Sequence, residues 1–358
     1  MAETKTYAEQ QREKAIVKLR EMQKVLPSFL GQYFRSIEYR NAPRTIVAYA
    51  QDIKTFFDYM HENNPVCSKY EIKDIPLDIL NQIQPTDIEE YISYIRFYKN
   101  RVNNERALKR KLSALRSMYT YFHKNRIIDY NPVLQVDMPK LHEKAIIRLE
   151  PNEVAELLDS VESGENLTPK QLERHDNLKV RDTAIITLLL GTGIRISECV
   201  GLDINDVDFD NARIKVVRKG GYEAFVYIGN EVAEALGEYM LERKCKTPVP
   251  GDENALFLSS RNSRMCVRSI EILVKKYARP VTPLKHITPH KLRSTYGTSL
   301  YRETGDIYLV ADVLGHKDVN TTQKHYAALD EDRKIAARNK VILREKYDPS
   351  GNKDDQRR

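Results

Sequence analysis

Through the first 126 residues the apolar positions recur at steps of three and four, the spacing of a helix face. Ile16, Leu19, Met22 and Leu26 share one side of residues 8–26 among Lys, Arg and Glu, which predicts an amphipathic helix. In APRTIVAYAQDIKTFFDYM, residues 42–60, Ile46, Tyr49, Ile53, Phe56 and Phe57 mark a second. QPTDIEEYISYIRFY, residues 84–98, predicts a third, with Thr86 and Asp87 near its start. In residues 101–126, RVNNERALKRKLSALRSMYTYFHKNR, the stripe Leu108, Leu112, Leu115, Tyr119 and Phe122 alternates steps of four and three, a fourth helix. No strand is expected before about residue 145.

The proline-bearing stretch 127–151 then reads as a linker into a second domain. PNEVAELLDSV opens a helix with Pro151 in its first turn, and SGENLTPKQLERHDN is expected to be a surface loop. VRDTAIITLLL predicts a buried helix stopped by GTG. In NARIKVVRKGGYEAFVYIGN the pattern changes to β-rich runs on either side of Gly220 and Gly221. That predicts a hairpin with a turn of roughly three to five residues. Helices are expected to follow to about residue 346, ahead of a disordered tail, DPSGNKDDQRR. The fold class expected is mainly α with a small β component: a helical N-terminal domain, then a mixed α/β domain.

Composition adds modest constraints. The formal net charge of +7 and pI near 9.0 point weakly to a polyanionic partner. The fourth helix sharpens this, because its segment carries eight Lys or Arg and a single acid, Glu105. The acidic partners expected four residues on in ordinary surface pairing are missing after Arg106, Lys109, Arg110, Lys111 and Arg116, and a phosphate backbone suits such a face. Cys67, Cys199, Cys245 and Cys266 form no CxxC pair, which argues against a zinc module. The charged N-terminus MAETKTYAEQQREK is unlike a secretory signal, and AIITLLLG is too short to span a bilayer, so a cytoplasmic protein with no membrane contact is expected.

Motifs for nucleotide, zinc or dinucleotide binding are absent: no GxxxxGK[ST], no HExxH, no GxGxxG. DINDVDFDN resembles a calcium loop but has Val207 where position five needs an oxygen, and reads instead as a turn leading into the hairpin. Any catalysis therefore falls to side chains. Arg195 and Glu198 follow a glycine-rich turn in GTGIRISE, Lys219 sits in the hairpin turn RKGGY, His290 and Arg293 lie three apart in TPHKLRS, and LGHKDVNTTQKHY holds His316 and Tyr326. Each alone is weak: such residues are usually solvent-facing or locally hydrogen-bonded.

Together and in this order they resemble the tyrosine recombinase family, also called phage-type integrases, in particular the Xer branch and its stand-alone members of Firmicute type with a longer N-terminus and RKGG at the hairpin. The resemblance implies an N-terminal helical extension over 1–24, a helical core-type DNA-binding domain over 25–140, a catalytic domain over 145–347 and the tail over 348–358. It implies that Arg195 and Arg293 clamp the non-bridging oxygens of a DNA phosphate, with His290 and His316 adding hydrogen bonds. Tyr326 would be the nucleophile, forming a 3′-phosphotyrosyl ester without metal, ATP or other cofactor, and Lys219 the general acid for the departing 5′ oxygen. Glu198 would orient the site without touching DNA. The residue after the second arginine is often His in the family; here it is Ser294.

The resemblance further implies strand exchange through a Holliday junction by a homo-tetramer on double-stranded DNA with inverted-repeat half-sites. The C-terminal helix, with Ile335, Ile342 and Leu343, would be exchanged between protomers, and a septal DNA translocase is a conceivable accessory. Chromosome dimer resolution of the Xer type is the expected role. Integration and excision of a mobile element, a type IB topoisomerase and a DNA-binding protein with a dead site are the alternatives.

Overall fold

A computed structural model describes residues 5–98, 100–140, 147–218 and 220–316. The chain divides into two compact units, 1–145 and 146–358.

The first unit is built on helices α1 (Tyr7–Gln23), α2 (Leu30–Glu38), α3 (Pro43–Asn63), α4 (Ile79–Gln82), α5 (Pro85–Arg96) and α6 (Glu105–Lys124). The stripes foreseen on α3 and α6 face each other: Ile46, Ile53, Phe56 and Phe57 share a core with Leu108, Leu112, Leu115, Tyr119 and Phe122. Aromatic edges lock it, as where Phe56 meets Tyr91 of α5 edge-on with ring centres 5.1 Å apart. α1 packs along α3, and its Leu19 belongs to the same core, as does Leu26 beyond its end. Local capping sets the starts: Asn104 Oδ1 accepts the Ala107 N–H at 3.0 Å to open α6, and the Asp87 carboxylate accepts the Gln84 N–H at 2.8 Å to open α5.

Besides the single-turn α4, the sequence reading missed two features here. Residues 30–38 form their own helix, with Leu30, Tyr33, Phe34 and Ile37 buried at helical spacing. A short antiparallel pair, β1 (Phe97–Tyr98) with β2 (Arg101–Val102), stands where no strand was expected. It is too short for any alternation to show, and arises because the chain must reverse between α5 and α6.

In the second unit α7 (Pro151–Ser163), a short α8 (Pro169–Leu172) inside the expected surface loop, and α9 (Lys179–Thr192) come first. α9 is apolar on nearly all sides, and α7, α11 (Asn230–Lys244) and α13 (Pro289–Thr304) pack around it. α10 (Ile196–Gly201) leads to an antiparallel sheet of β3 (Val207–Asp208), β4 (Arg213–Val217) and β5 (Glu223–Tyr227). The hairpin is as expected, with Val217 paired to Glu223; the "turn" before it contributes β3. α12 (Val267–Val281) and α14 (Ile307–Leu314) complete the unit, α14 lying on α13 through Tyr301, Val310 and Leu314.

Lys219 and Tyr326 lie outside the described residues, as do the expected C-terminal helix and the tail. Among the described residues no helix is long and apolar enough to cross a membrane.

Candidate active site

α9 ends at Gly193, whose φ of 62° is left-handed and whose N–H returns to the Leu189 carbonyl at 3.1 Å. A side chain there would also collide with the Tyr296 ring and the Leu314 side chain. The GTG turn is thus pressed between α13 and α14, and only glycine satisfies both the φ and the space.

Two residues on, Arg195 stands at the head of α10 in extended conformation. Glu198 grips it twice: Oε2 accepts the Arg195 backbone N–H and Oε1 accepts Nη1, each at 2.8 Å. Glu198 is 5% exposed. Its carboxylate therefore fixes the guanidinium from below, leaving its outer side half-exposed. Arg195 Nη2 donates to the Gly315 carbonyl at 3.0 Å.

Arg293, one turn into α13 and buried, donates from Nη1 to the Gly193 carbonyl at 2.6 Å and from Nη2 to the Leu314 carbonyl. The two guanidiniums therefore converge on the carbonyls of two successive residues, Leu314 and Gly315, although they sit 98 positions apart (293 − 195) in the chain. His316 follows at once, its N–H donating to the Ala311 carbonyl at 2.8 Å. His290 precedes Arg293 by one turn and is exposed at the start of α13. Ser294 donates its hydroxyl to the His290 carbonyl at 3.0 Å. Arg195, Glu198, Arg293 and His316 thus come together around the C-terminus of α14, with His290 on the helix of Arg293.

A cluster of fixed cations at a half-exposed surface is suited to bind an oxyanion, because guanidiniums carry permanent charge and planar donor pairs. Nearby groups are poor nucleophiles: burial raises the Tyr296 phenol above its ordinary pKa and pushes the Cys199 thiol to about 12. Tyr301 is buried in the α13–α14 contact, and Tyr308 is exposed on α14. Among the described residues no group of three or more His, Cys, Asp or Glu could hold a metal ion.

The basic residues of α6 have divided fates. The acidic partner missing from α6 itself is supplied by α3: buried Asp52 pairs with Arg110 and, at 3.2 Å, with the ammonium of buried Lys111. Arg116 donates to the carbonyls of Val133 and Val136 at 3.2 and 3.1 Å. Arg106 is exposed and Lys109 half-exposed. One signal of this was legible, since Asp52 lies one turn before Phe56 on the apolar stripe, where an unpaired carboxylate would be costly. Arg218, which also reaches the C-terminus of α14, had no signal in the sequence beyond its place next to Lys219.

Residues 148–333 match the phage integrase family, and residues 30–125 match the phage integrase N-terminal SAM-like domain. The chain belongs to the phage integrase family. It is a site-specific tyrosine recombinase with Xer-type relatives. It is 32% identical to tyrosine recombinase XerC of Caldanaerobacter subterraneus subsp. tengcongensis, over 89% of this chain and 87% of that one. It is 30% identical to tyrosine recombinase XerS of Streptococcus mutans serotype c, over 91% of this chain and 98% of that one. The recombinase fold is also that of the XerH site-specific recombinase bound to palindromic difH substrate, with a TM-score of 0.62 at 19% identity, covering 88% of this chain and 85% of that one.

Proposed function

We propose that this tyrosine recombinase exchanges strands between DNA duplexes through a covalent 3′-phosphotyrosyl intermediate and a Holliday junction, in the manner of Xer chromosome dimer resolution. The observation that carries the chemistry is the convergence of Arg195 and Arg293 on the successive carbonyls of Leu314 and Gly315, which lead into His316. Two guanidiniums so held would fork around the non-bridging oxygens of one phosphate, and His290 and His316 would add donors as charge builds there. Because the donors are held in place by carbonyls and by Glu198, little reorganisation is needed when the reaction begins.

The Tyr326 oxygen attacks phosphorus as the bond to the 5′ oxygen breaks, and that oxygen leaves with a proton from Lys219. One phosphoester replaces another, so no nucleotide is consumed. A 5′ hydroxyl from a partner duplex then attacks the phosphotyrosyl ester and releases the tyrosine. Ligation to the partner strand creates the junction. Four protomers, two on each duplex, supply the four cleavages, and inverted half-sites on the DNA mirror each protomer pair. In the first unit, Arg106 and Lys109 of α6 are the side chains best placed to meet backbone phosphates. The extent of the match to Streptococcus mutans XerS supports the Xer role.

The deciding experiment uses a nicked duplex that loses the leaving strand on cleavage. Wild-type protein is expected to accumulate as a covalent DNA adduct in EDTA, and Tyr326→Phe to give none. An adduct formed equally by Tyr326→Phe, or cleavage that requires magnesium and leaves no protein attached, sinks the reading.

A further inference from the structure

The last turn of α14 leaves carbonyls that the helix cannot satisfy. Their partners can be counted. The Ala311 carbonyl accepts the N–H of His316 and the Asp312 carbonyl that of Gly315, each at 2.8 Å. The next three carbonyls all take a guanidinium: Val313 from Arg218 at 3.0 Å, Leu314 from Arg293, and Gly315 from Arg195 at 3.0 Å. Arg195 and Arg293 belong to the phosphate clamp proposed above. Arg218 does not, and it comes from a different element, the turn between β4 and β5.

That turn is closed by its own backbone. Arg218 N–H donates to the Tyr222 carbonyl at 2.7 Å, and Gly221 N–H to the Arg218 carbonyl at 3.0 Å. The Arg218 side chain is the strut from the turn to the helix. It lies so tightly over Gly315, where φ is 61°, that a Cβ at 315 would overlap the guanidinium. A cavity of about 420 Å³ beside it, lined by Phe225, Tyr296, Asp312 and Val313, leaves the rest of the hairpin standing away from α14. The contact is also electrostatically sound, since a cation at a helix C-terminus meets the negative end of the dipole.

We infer that Arg218 is a positioning residue: it ties the hairpin turn to the helix end that presents His316, so that the segment in which Lys219 follows it in sequence and the phosphate clamp share one frame. The inference rests on the proposed phosphoryl transfer. Without the strut the turn loses its tie to the Val313 carbonyl, and a displacement of about 1 Å at a reacting group can cost on the order of 100-fold in rate.

The test compares two nicked duplexes, one with an ordinary scissile phosphate and one in which sulfur replaces the bridging 5′ oxygen. A thiol, with a pKa near ~8.5, leaves without a proton where an alcohol does not. Full-length Arg218→Ala should cleave the ordinary duplex about 10- to 100-fold more slowly than wild type and the sulfur duplex at nearly the wild-type rate. Lys219→Ala should show the same pattern, and Arg218→Lys, which restores a cation to the Val313 carbonyl, should recover part of the loss. Wild-type rates for Arg218→Ala on both duplexes, or equal losses on both, overturn the inference; the second result would place Arg218 in the phosphate clamp or in folding. Failure of wild type to form an adduct on either duplex would instead overturn the proposed reaction.

Discussion

Glu198 and Arg195 are joined at both ends of one carboxylate, Oε2 taking the backbone N–H and Oε1 the guanidinium Nη1, each at 2.8 Å. The arginine proposed to face the phosphate is thereby aimed by a buried carboxylate. Glu198→Gln keeps one acceptor oxygen but turns an amide toward the other N–H and removes the buried negative charge. A hydrogen bond to a charged group is worth about 1.5–3 kcal/mol, so the single-turnover rate of covalent adduct formation should fall roughly 10- to 100-fold. A rate within twofold of wild type would show that Arg195 keeps its aim without the carboxylate.

Asp52 carries a different load. Its buried carboxylate holds the ammonium of Lys111, also buried, and the guanidinium of Arg110. Asp52→Ala leaves an ammonium without its counter-charge inside the first unit and should lower unfolding stability by about 3–5 kcal/mol. Replacing the pair by apolar residues, Asp52→Leu with Lys111→Met, should recover most of that loss. Urea unfolding of the two variants beside wild type provides the check; a double variant no more stable than Asp52→Ala would refute the account.

Acid sensitivity should be traceable to Glu153. Burial alone would raise its carboxyl pKa, but the Lys285 ammonium at 2.5 Å and the Glu150 N–H at 2.7 Å outweigh it and hold the pKa below the ordinary value. A depressed folded-state pKa stabilises the fold above the unfolded carboxyl's pKa, ~4.3, and that stabilisation is lost as pH falls through the lower folded value. The stability gap between wild type and Glu153→Gln should accordingly be flat near neutrality and close below about pH 4. A gap that widens on acidification would contradict the pairing.

On α6 the exposed and the engaged cations should separate in DNA binding. Each phosphate contact contributes close to one unit to the slope of log affinity against log salt. Arg106→Ala and Lys109→Ala should each lower that slope by about one while leaving the unfolding midpoint unchanged. Arg116→Ala should do the reverse, since its guanidinium already serves the Val133 and Val136 carbonyls. Salt titrations of duplex binding, paired with thermal melts, distinguish the two groups.

Much of the architecture was legible because its causes are local. The stripes on α3 and α6, the hairpin around Gly220 and Gly221, and the stop at Gly193 follow from residues within a few positions of one another. α2 carried its pattern too, in Leu30, Tyr33, Phe34 and Ile37, but nine residues make a short signal. The pair β1 and β2 carried none, because two-residue strands have no period to detect.

The amino-acid sequence by itself determined where the longer helices and the hairpin strands lie and which cations, imidazoles and carboxylate could form a site, since periodicity, glycine and motif spacing are properties of neighbouring residues. The tertiary structure alone decided what each charge does. Lys111 and Arg106 look alike along the chain, yet Lys111 meets Asp52 from 59 residues away while Arg106 faces solvent. Likewise only the fold brings Arg218, Arg293 and Arg195 to successive carbonyls of α14. A buried donor must find an acceptor wherever folding places one, and that partner is set by packing between distant segments.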